Sequence, residues 1–374
     1  MKKTITLLLT AALLLGLMAG CAISPNPNKD DPGAAAQTAS PSPAPTESAA
    51  TVHDLAAAYA AYDPDTVIAR VNGLDVTWDE YFYWILSGLA RVESYIGPIE
   101  DFSADFGGVS MGDYIKQVAE TNFLQYRAVE YFTDQEGITL SPEGEKALAE
   151  QLEADIAQIS PDGTEAGLDQ YLADNFISRR TYDYVNRIAA LYAEAFAEYC
   201  GESGEKITDE EALSFAGRSG LMAAKHILLK TRNDDGTYVS DAEKAEKLAL
   251  AKDIIARLEQ GESFDELIAQ YNEDPGQAAY PDGYCFGPNE MVTEFETAVQ
   301  LLEENAWTDE PVESTYGYHV IQHVPFQPDM VYTGQGVTVR QMAANEKFNQ
   351  IMNGWLEQTE VEYLEDVDVG AILQ

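Results

Sequence analysis

Two short apolar runs, each carrying a histidine, constrain the fold of this chain most. His226 lies within Met222–Leu229, and His319 lies within Tyr318–His323. Apolar runs of this length, bounded by turn residues, are typical of buried β-strands. The sequence therefore predicts two buried strands in the last third of the chain, each with one histidine among apolar neighbours.

Helices are predicted between these two strands. In three places a serine or threonine stands three residues before a glutamate, which is the pattern of a capping box at a helix start. The three pairs are Ser240/Glu243, Ser263/Glu266 and Thr293/Glu296. With a further strand near Glu310–Ser314, the predicted order is β-α-α-α-β-β, a compact antiparallel sheet covered by helices.

The motifs of this region resemble those of the parvulin family of peptidyl-prolyl cis/trans isomerases. The resemblance covers residues 222–324, and its motifs occur in the family's order: Lys225-His226-Ile227-Leu228, Tyr271-Asn272-Glu273-Asp274, Met291-Val292-Thr293-Glu294-Phe295 and Tyr316-Gly317-Tyr318-His319. The resemblance implies an isomerase domain that acts on X-Pro peptide bonds and needs no metal or cofactor.

The resemblance also implies which residues form the site. Met291 and Phe295 would form the pocket for the proline ring, and Phe286 would complete its wall. The implied catalytic residues, which hold or face the reacting amide, are His226, Asp274, His319 and Ser314. The two histidines would lie on neighbouring strands, hydrogen-bonded to each other, with Ser314 bonded to one of them and Asp274 facing the substrate.

Other interpretations of the same residues stay open at this point. Met291 and Phe295 could be ordinary core residues, and a buried histidine is often structural. The spacing of His319 and His323 places both on one face of a strand, but a zinc site would need further ligands. The turn before Met291 reads Gly287-Pro288-Asn289-Glu290, which departs from the family's wording and leaves the level of activity open.

The first residues predict export and a lipid anchor. Lys2 and Lys3 precede an apolar run that is too short to span a bilayer, and small residues stand directly before Cys21. We interpret residues 1–20 as a lipoprotein signal peptide and Cys21 as the lipidated residue. The Pro-, Ala- and Ser-rich residues 21–53 are predicted to be an extended tether, which places the protein on the extracytoplasmic face of the cell membrane.

Charge excludes one class of partner. The chain has 22 basic and 64 acidic residues, a formal net charge of −42, whereas nucleic-acid binding needs basic patches. The same acidity disfavours attraction to an anionic bilayer, so the lipid alone would provide membrane attachment. If Cys21 is lipidated, only Cys200 and Cys285 could pair, and a bridge between them is disfavoured.

Residues 54–220 are predicted to be mainly helical. A strand, an Asn72-Gly73 turn and a second strand lead into a helix that a Thr77/Glu80 capping box would open. This start looks like the N-terminal segment of the SurA and PrsA foldases. Aromatic residues on the helices are interpreted as core, or alternatively as a groove for unfolded polypeptide: Phe123, Tyr126, Phe132, Tyr171, Phe176, Tyr184, Tyr192 and Phe196.

The predicted fold class is α+β, with an isomerase domain at 221–325 inserted into a helical chaperone domain formed by 54–220 and 326–374. The predicted function is a lipid-anchored foldase that isomerises X-Pro bonds in newly exported, unfolded polypeptides; a homodimer is left open. The alternative is a holdase chaperone whose isomerase domain is weak or inactive. A third hypothesis, a solute-binding lipoprotein, predicts two α/β lobes and fits poorly with the long helical stretch.

Overall fold

The computed structural model describes residues 53–233 and 235–374. The signal peptide, the tether and Cys21 lie outside the described residues. The described chain forms two compact units, of which the first contains the described residues up to Glu202 together with Lys347–Gln374, and the second contains Ser203–Glu346. The predicted α+β class, with the sheet-containing unit inserted into a helical one, is confirmed.

The first unit is mainly helical. In chain order its elements before the insertion are α1 (Leu55–Tyr59), β1 (Val67–Val71), β2 (Leu74–Thr77), α2 (Trp78–Ile96), β3 (Asp105–Phe106), β4 (Val109–Ser110), α3 (Met111–Glu136), α4 (Pro142–Ile159), α5 (Glu165–Asp174) and α6 (Arg179–Cys200). After the insertion come β9 (Val361–Tyr363) and α12 (Val369–Leu373). The antiparallel hairpin β1–β2 gains β9 as its third strand, on the far side of β1.

The second unit contains the four-stranded sheet. Its elements are α7 (Asp209–Arg218), β5 (Met222–Lys230), α8 (Asp241–Glu259), α9 (Phe264–Tyr271), a 3₁₀ turn (Pro275–Ala279), β6 (Tyr284–Phe286), α10 (Thr293–Leu301), β7 (Val312–Glu313) and β8 (Gly317–His323). A last long helix, α11 (Val339–Glu357), contains the point at which the two units divide.

The sheet of the second unit is antiparallel, with strand order β6-β5-β8-β7. Side chains along β5 alternate between the two faces of the sheet, and Ile227 and Leu229 lie in a core shared with α8 and α9. The opposite face of the sheet carries Ala224 and Ile321, which pack with Phe295 of α10. The period-2 alternation of a strand is what separates these two cores.

The predicted strand order needs one correction. The sequence prediction missed β6, so the observed order is β-α-α-β-α-β-β once the 3₁₀ turn is set aside. This strand lies between Gly283 and Gly287. It has only three residues, which is too few to show an alternation of apolar and polar side chains. It pairs with the first residues of β5, where Ala224 lies opposite Tyr284.

Three predicted capping boxes are wrong. Thr77 precedes α2 without a side-chain cap, and its hydroxyl donates to Asp79 instead. Glu80 is buried and pairs with Arg127 of α3. The boxes at Ser263 and Thr293 are also not formed: α9 lacks a side-chain cap, and Val292 occupies the cap position of α10.

The aromatic residues of the helical unit are mainly core. Phe123 and Tyr126 are buried, and none of the eight residues singled out in the sequence is exposed. On the C-terminal part of the chain, Phe348 lies edge-on to Tyr192 at 4.8 Å, and Trp355 stacks on Phe132 at 5.5 Å. The segment after the insertion therefore completes the core of the first unit. Within the described ranges, no helix combines the length and the apolar character needed to span a membrane.

Candidate functional site

The register of the two central strands brings His226 and His319 together. His226 lies opposite Ile321, and His319 lies opposite Leu228, so the two imidazoles are diagonal neighbours on one face of the sheet. Their Nδ1 atoms are 3.1 Å apart, and the rings are nearly parallel. The contact that the resemblance implied is therefore present.

Asp274 is held beside His226 by the segment that follows α9. The side-chain oxygen of Asn272 accepts from the backbone N–H of Leu228 at 2.8 Å, and Glu273 N–H donates to the Leu228 carbonyl at 2.9 Å. These bonds attach the segment to β5. They leave Asp274 Oδ2 at 2.7 Å from His226 Nε2.

Three donors bind the carboxylate of Asp274. His226 Nε2–H and the Tyr284 hydroxyl bond its Oδ2, the latter at 2.5 Å, and Gly276 N–H bonds its Oδ1 at 3.0 Å. Burial opposes ionisation here, but these hydrogen bonds outweigh it and lower the pKa of Asp274 to about 2. The site therefore contains a fixed negative charge at neutral pH.

The charge on Asp274 sets the direction of the whole chain of hydrogen bonds. A carboxylate only accepts, so Nε2 of His226 carries the proton when that ring is singly protonated, and its Nδ1 then accepts from His319 Nδ1–H. The Nε2 atom of His319 is then an acceptor, and the Ser314 hydroxyl, 2.7 Å away, donates to it. Ser314 in turn accepts from the backbone N–H of Tyr316 at 3.1 Å.

His319 is kept neutral within this chain. Burial, with a smaller contribution from the neighbouring ring of His226, lowers the pKa of His319 to about 3. The phenol of Tyr284 is neutral as well, because burial and the Asp274 carboxylate raise its pKa. These groups can orient one another and present a fixed dipole, but they do not supply a proton at neutral pH.

Apolar side chains surround the two imidazoles. Phe295 lies edge-on to both rings, with centroid distances of 5.3 Å to His226 and 5.7 Å to His319. Met291 is half-buried against the same cluster and lies two residues before the start of α10. Phe286 has no exposed surface and lies 5.9 Å from Phe295, so it backs Phe295 from inside the domain.

Apart from Cys21, which lies outside the described residues, the structure brings all the predicted site residues together in the second unit: His226, Asp274, Phe286, Met291, Phe295, Ser314 and His319. The sequence prediction missed Tyr284, which lies in the strand that it also missed. A second omission is Glu290, which accepts from Gly287 N–H at 2.8 Å and from the hydroxyl of Tyr332. Neither residue carried a signal in the sequence, because no motif or periodic pattern marks a single Tyr in so short a strand or a single Glu in the turn after it.

Two further predictions concern metals and thiols. His323 lies in β8, but its Nδ1–H donates to the carbonyl of Leu302 at 2.9 Å. Among residues 53–233 and 235–374, no group of three His, Cys, Asp or Glu side chains is placed to hold a metal ion. Cys200 and Cys285 are both buried, and no disulfide joins them in the described chain.

Comparison with known proteins identifies the second unit. The family model of the PPIC-type PPIase domain matches residues 215–324. Foldase protein PrsA of Halalkalibacterium halodurans is 40% identical over 123 residues, which is 32% of this chain and 32% of that protein. Chaperone SurA of Alkalilimnicola ehrlichii is 33% identical over 122 residues, which is 32% of this chain and 24% of that protein.

The matched segments span only about a quarter to a third of these relatives. Among solved structures, the crystal structure of PrsA from Bacillus cereus aligns with 73% of this chain and 96% of that chain, at 19% identity and a TM-score of 0.28. The family match, over residues 215–324, lies in the unit that contains the histidine pair.

Proposed function

Since the chain carries a PPIC-type parvulin PPIase domain over residues 215–324, we propose that it is a foldase that catalyses cis/trans isomerisation of X-Pro bonds in unfolded, exported polypeptides. One observation carries the proposal. The half-exposed Met291 and the ring of Phe295 form an apolar wall directly beside the ordered chain from Ser314 to Asp274.

The chemistry requires little more than such a wall and a rigid polar floor. The barrier to rotation about an X-Pro bond is about 20 kcal/mol, because the twisted amide loses its resonance. The apolar wall holds the proline ring while the preceding carbonyl rotates, and the ordered polar floor beside it favours the twisted state over both planar ones. No covalent intermediate, proton transfer or metal is needed.

The roles of the site residues follow from this scheme. Met291 and Phe295 hold the proline ring. His226 and His319 form the floor, and their edge-on contacts with Phe295 fix the ring that the substrate meets. Asp274 and Ser314 hold the two imidazoles in one tautomeric arrangement, so the floor does not reorganise during the reaction.

Proline-limited refolding tests the proposal. The protein should accelerate the slow phase of a refolding substrate, and Met291→Ala should remove most of that acceleration. The matched control is Leu301→Ala, because Leu301 lies on α10 but is exposed to solvent. Equal acceleration by the Met291 and Leu301 variants would contradict the assignment of the pocket.

A holdase is the second candidate function, and a cavity in the first unit favours it. The cavity has a volume of about 510 Å³ and is lined by Val92, Phe106, Tyr114 and Val118, with Tyr95 and Ile96 exposed beside them. Exposed apolar surface of this kind fits an extended apolar segment of a client.

Aggregation assays separate the two functions. If the protein suppresses aggregation without accelerating proline-limited refolding, the holdase replaces the isomerase. Tyr95→Ser should then weaken the suppression, whereas Tyr238→Ser, which alters an exposed tyrosine of the second unit, should not.

We propose in addition that Cys21 carries a lipid that holds the protein at the extracytoplasmic face of the membrane. The support is the sequence pattern of the first residues. Cys21→Ser should release the protein into the soluble extracytoplasmic fraction, and retention of this variant in the membrane fraction would contradict the anchor.

A further inference from the structure

The turn between β6 and α10 lacks the backbone bonds of a regular turn. Asn289 adopts a left-handed conformation, with φ of +65°, and its N–H is bound by both carboxylate oxygens of Glu296, at 2.8 and 3.1 Å. The N–H of Gly287 is bound by Glu290 at 2.8 Å. Side-chain carboxylates therefore hold the shape of the turn that leads directly to Met291.

Glu290 is exposed to solvent, so its side chain needs a second contact to be held in one position on the turn. Its second carboxylate oxygen accepts from the hydroxyl of Tyr332. Tyr332 is only 5% exposed, and burial together with the Glu290 carboxylate raises the pKa of its phenol. The phenol is thus a neutral donor fixed at one point.

Tyr332 belongs to a small hairpin, residues 330–339, that begins after the matched isomerase domain has ended. We call it the exit hairpin. Val331 pairs with Thr338, and Tyr332 N–H donates to the Val337 carbonyl at 2.7 Å. Met330 and Val339 at its two ends are buried. The hairpin is therefore a rigid support for the phenol.

The exit hairpin also covers the outer edge of β6. Thr333 N–H donates to the carbonyl of Cys285 at 2.8 Å, and the Tyr280 hydroxyl donates to the carbonyl of Thr333 at 3.3 Å. Tyr280 packs on Tyr284, which bonds Asp274. The hairpin therefore contacts β6 and Tyr280 on one side, and through Glu290 it contacts the turn before Met291.

We infer that Tyr332 is a positioning residue for the isomerase pocket: through Glu290 it fixes the turn that places Met291 against the proline ring. The inference rests on the proposed isomerase function and deepens it. It means that the pocket is completed by residues outside the segment that defines the domain family. The expected defect is in substrate binding, because the wall contacts proline in the planar and twisted states alike.

The test uses the full-length protein with Tyr332→Phe, which removes one hydroxyl and keeps the buried ring. For a chromogenic X-Pro peptide, KM should rise about threefold to tenfold with kcat nearly unchanged, which corresponds to the net contribution of one ordinary hydrogen bond. The ¹³C-methyl NMR signal of Met291 should shift or broaden. Tyr238→Phe, an exposed tyrosine in the same unit, should change neither quantity.

Glu290→Gln supplies the second arm, since it alters the same link from the other side. The double variant with Tyr332→Phe should lose no more than the worse single variant, because the two residues act through one bond. A Met291 methyl signal and a KM equal to those of the parent in Tyr332→Phe would overturn the inference. The inference would also be overturned if Tyr332→Phe lowered kcat and substrate binding equally and also lowered the melting temperature, because Tyr332 would then only stabilise the fold.

The inference and the proposed function can fail separately. If the parent protein does not accelerate isomerisation, the proposed function fails, and the Met291 methyl signal alone then decides the positioning role. An unchanged methyl signal in both single variants would overturn it, and a shift in both would support it.

Discussion

The imidazoles of His226 and His319 meet through their Nδ1 atoms, 3.1 Å apart, so only one of the two rings can carry a proton there. The Asp274 carboxylate decides which one, since it requires the proton of His226 on Nε2. Two histidines in neighbouring strands are thereby given opposite tautomers.

Long-range ¹H–¹⁵N NMR should show these opposite tautomers. We expect His226 to be protonated on Nε2 and His319 on Nδ1 at neutral pH. His323 supplies an internal reference, because its Nδ1 donates to a backbone carbonyl. Ser314→Ala should weaken the preference of His319 by removing the donor to its Nε2. The same tautomer on both rings of the parent would contradict the assigned direction.

The neutral state of His319 makes the stability of the second unit depend on pH. Its pKa is about 3 in the folded protein, against about 6.5 in an unfolded chain. Between these values the unfolded state binds more protons, so the free energy of unfolding falls as pH falls, by up to about 1.4 kcal/mol per pH unit. The stabilisation is fully present above the unfolded pKa. Asp274, with a folded pKa of about 2, acts in the same direction below about pH 4.

Urea unfolding can isolate this contribution. Trp307 lies in the second unit, packed against its core, and a ¹⁹F label on it reports on that unit. The slope of stability between about pH 5 and pH 6.5 should be smaller in His319→Gln than in the parent, because the glutamine does not titrate. Equal slopes would contradict the lowered pKa of His319, because they would show that it binds protons equally in the folded and unfolded states.

Asp274→Asn should lower catalytic efficiency about tenfold or more, which corresponds to the loss of a hydrogen bond to a charged acceptor. The amide cannot accept from His226 and Tyr284 as a carboxylate does. The measurement is NMR exchange spectroscopy on an X-Pro peptide. Asp282→Asn changes an exposed carboxylate in the nearby loop and serves as the control. Equal efficiencies for the two variants would remove Asp274 from the site.

Gly317→Ala should destabilise the second unit by about 2 kcal/mol or more. Gly317 has a φ of +152°, and an added Cβ would lie 2.1 Å from the carbonyl oxygen of Leu229 in the paired strand. Gly217→Ala is the matched control, because Gly217 lies in α7 with open space around it. That variant should be neutral or stabilising by up to about 1 kcal/mol. Thermal unfolding of both variants would be compared with the parent.

The long, periodic elements could be predicted from the sequence, and the shortest could not. The sequence predicts a helix directly after the first hairpin, and the structure has α2 there, 19 residues long, at Trp78–Ile96. Strand β6 has three residues, which is too short for a period to appear. Its pairing depends on the edge of β5, which only the folded sheet provides.

Local signals failed where a distant partner offered a better bond. Glu80 was expected to cap its own helix, but Arg127 of α3 pairs with it in the core. Glu296 was likewise expected to join a cap at Thr293, and instead it binds the N–H of Asn289. The contact between His226 and His319 was implied by the family resemblance. The link between Tyr332 and Glu290 had no such guide, because it forms only when residues 42 positions apart meet in the folded chain.

The insertion of one unit into the other sets an order of assembly. Strand β9 pairs with β1, and Glu360 exchanges hydrogen bonds with Asn72, 288 residues earlier in the sequence. When the chain is synthesised or exported from its N-terminal end, every strand of the four-stranded sheet is available for pairing before β9 is. Closing so long a loop carries an entropic cost that the local contacts of the sheet avoid. The second unit would thus be complete while the hairpin β1–β2 still has an open edge, and that edge is closed last.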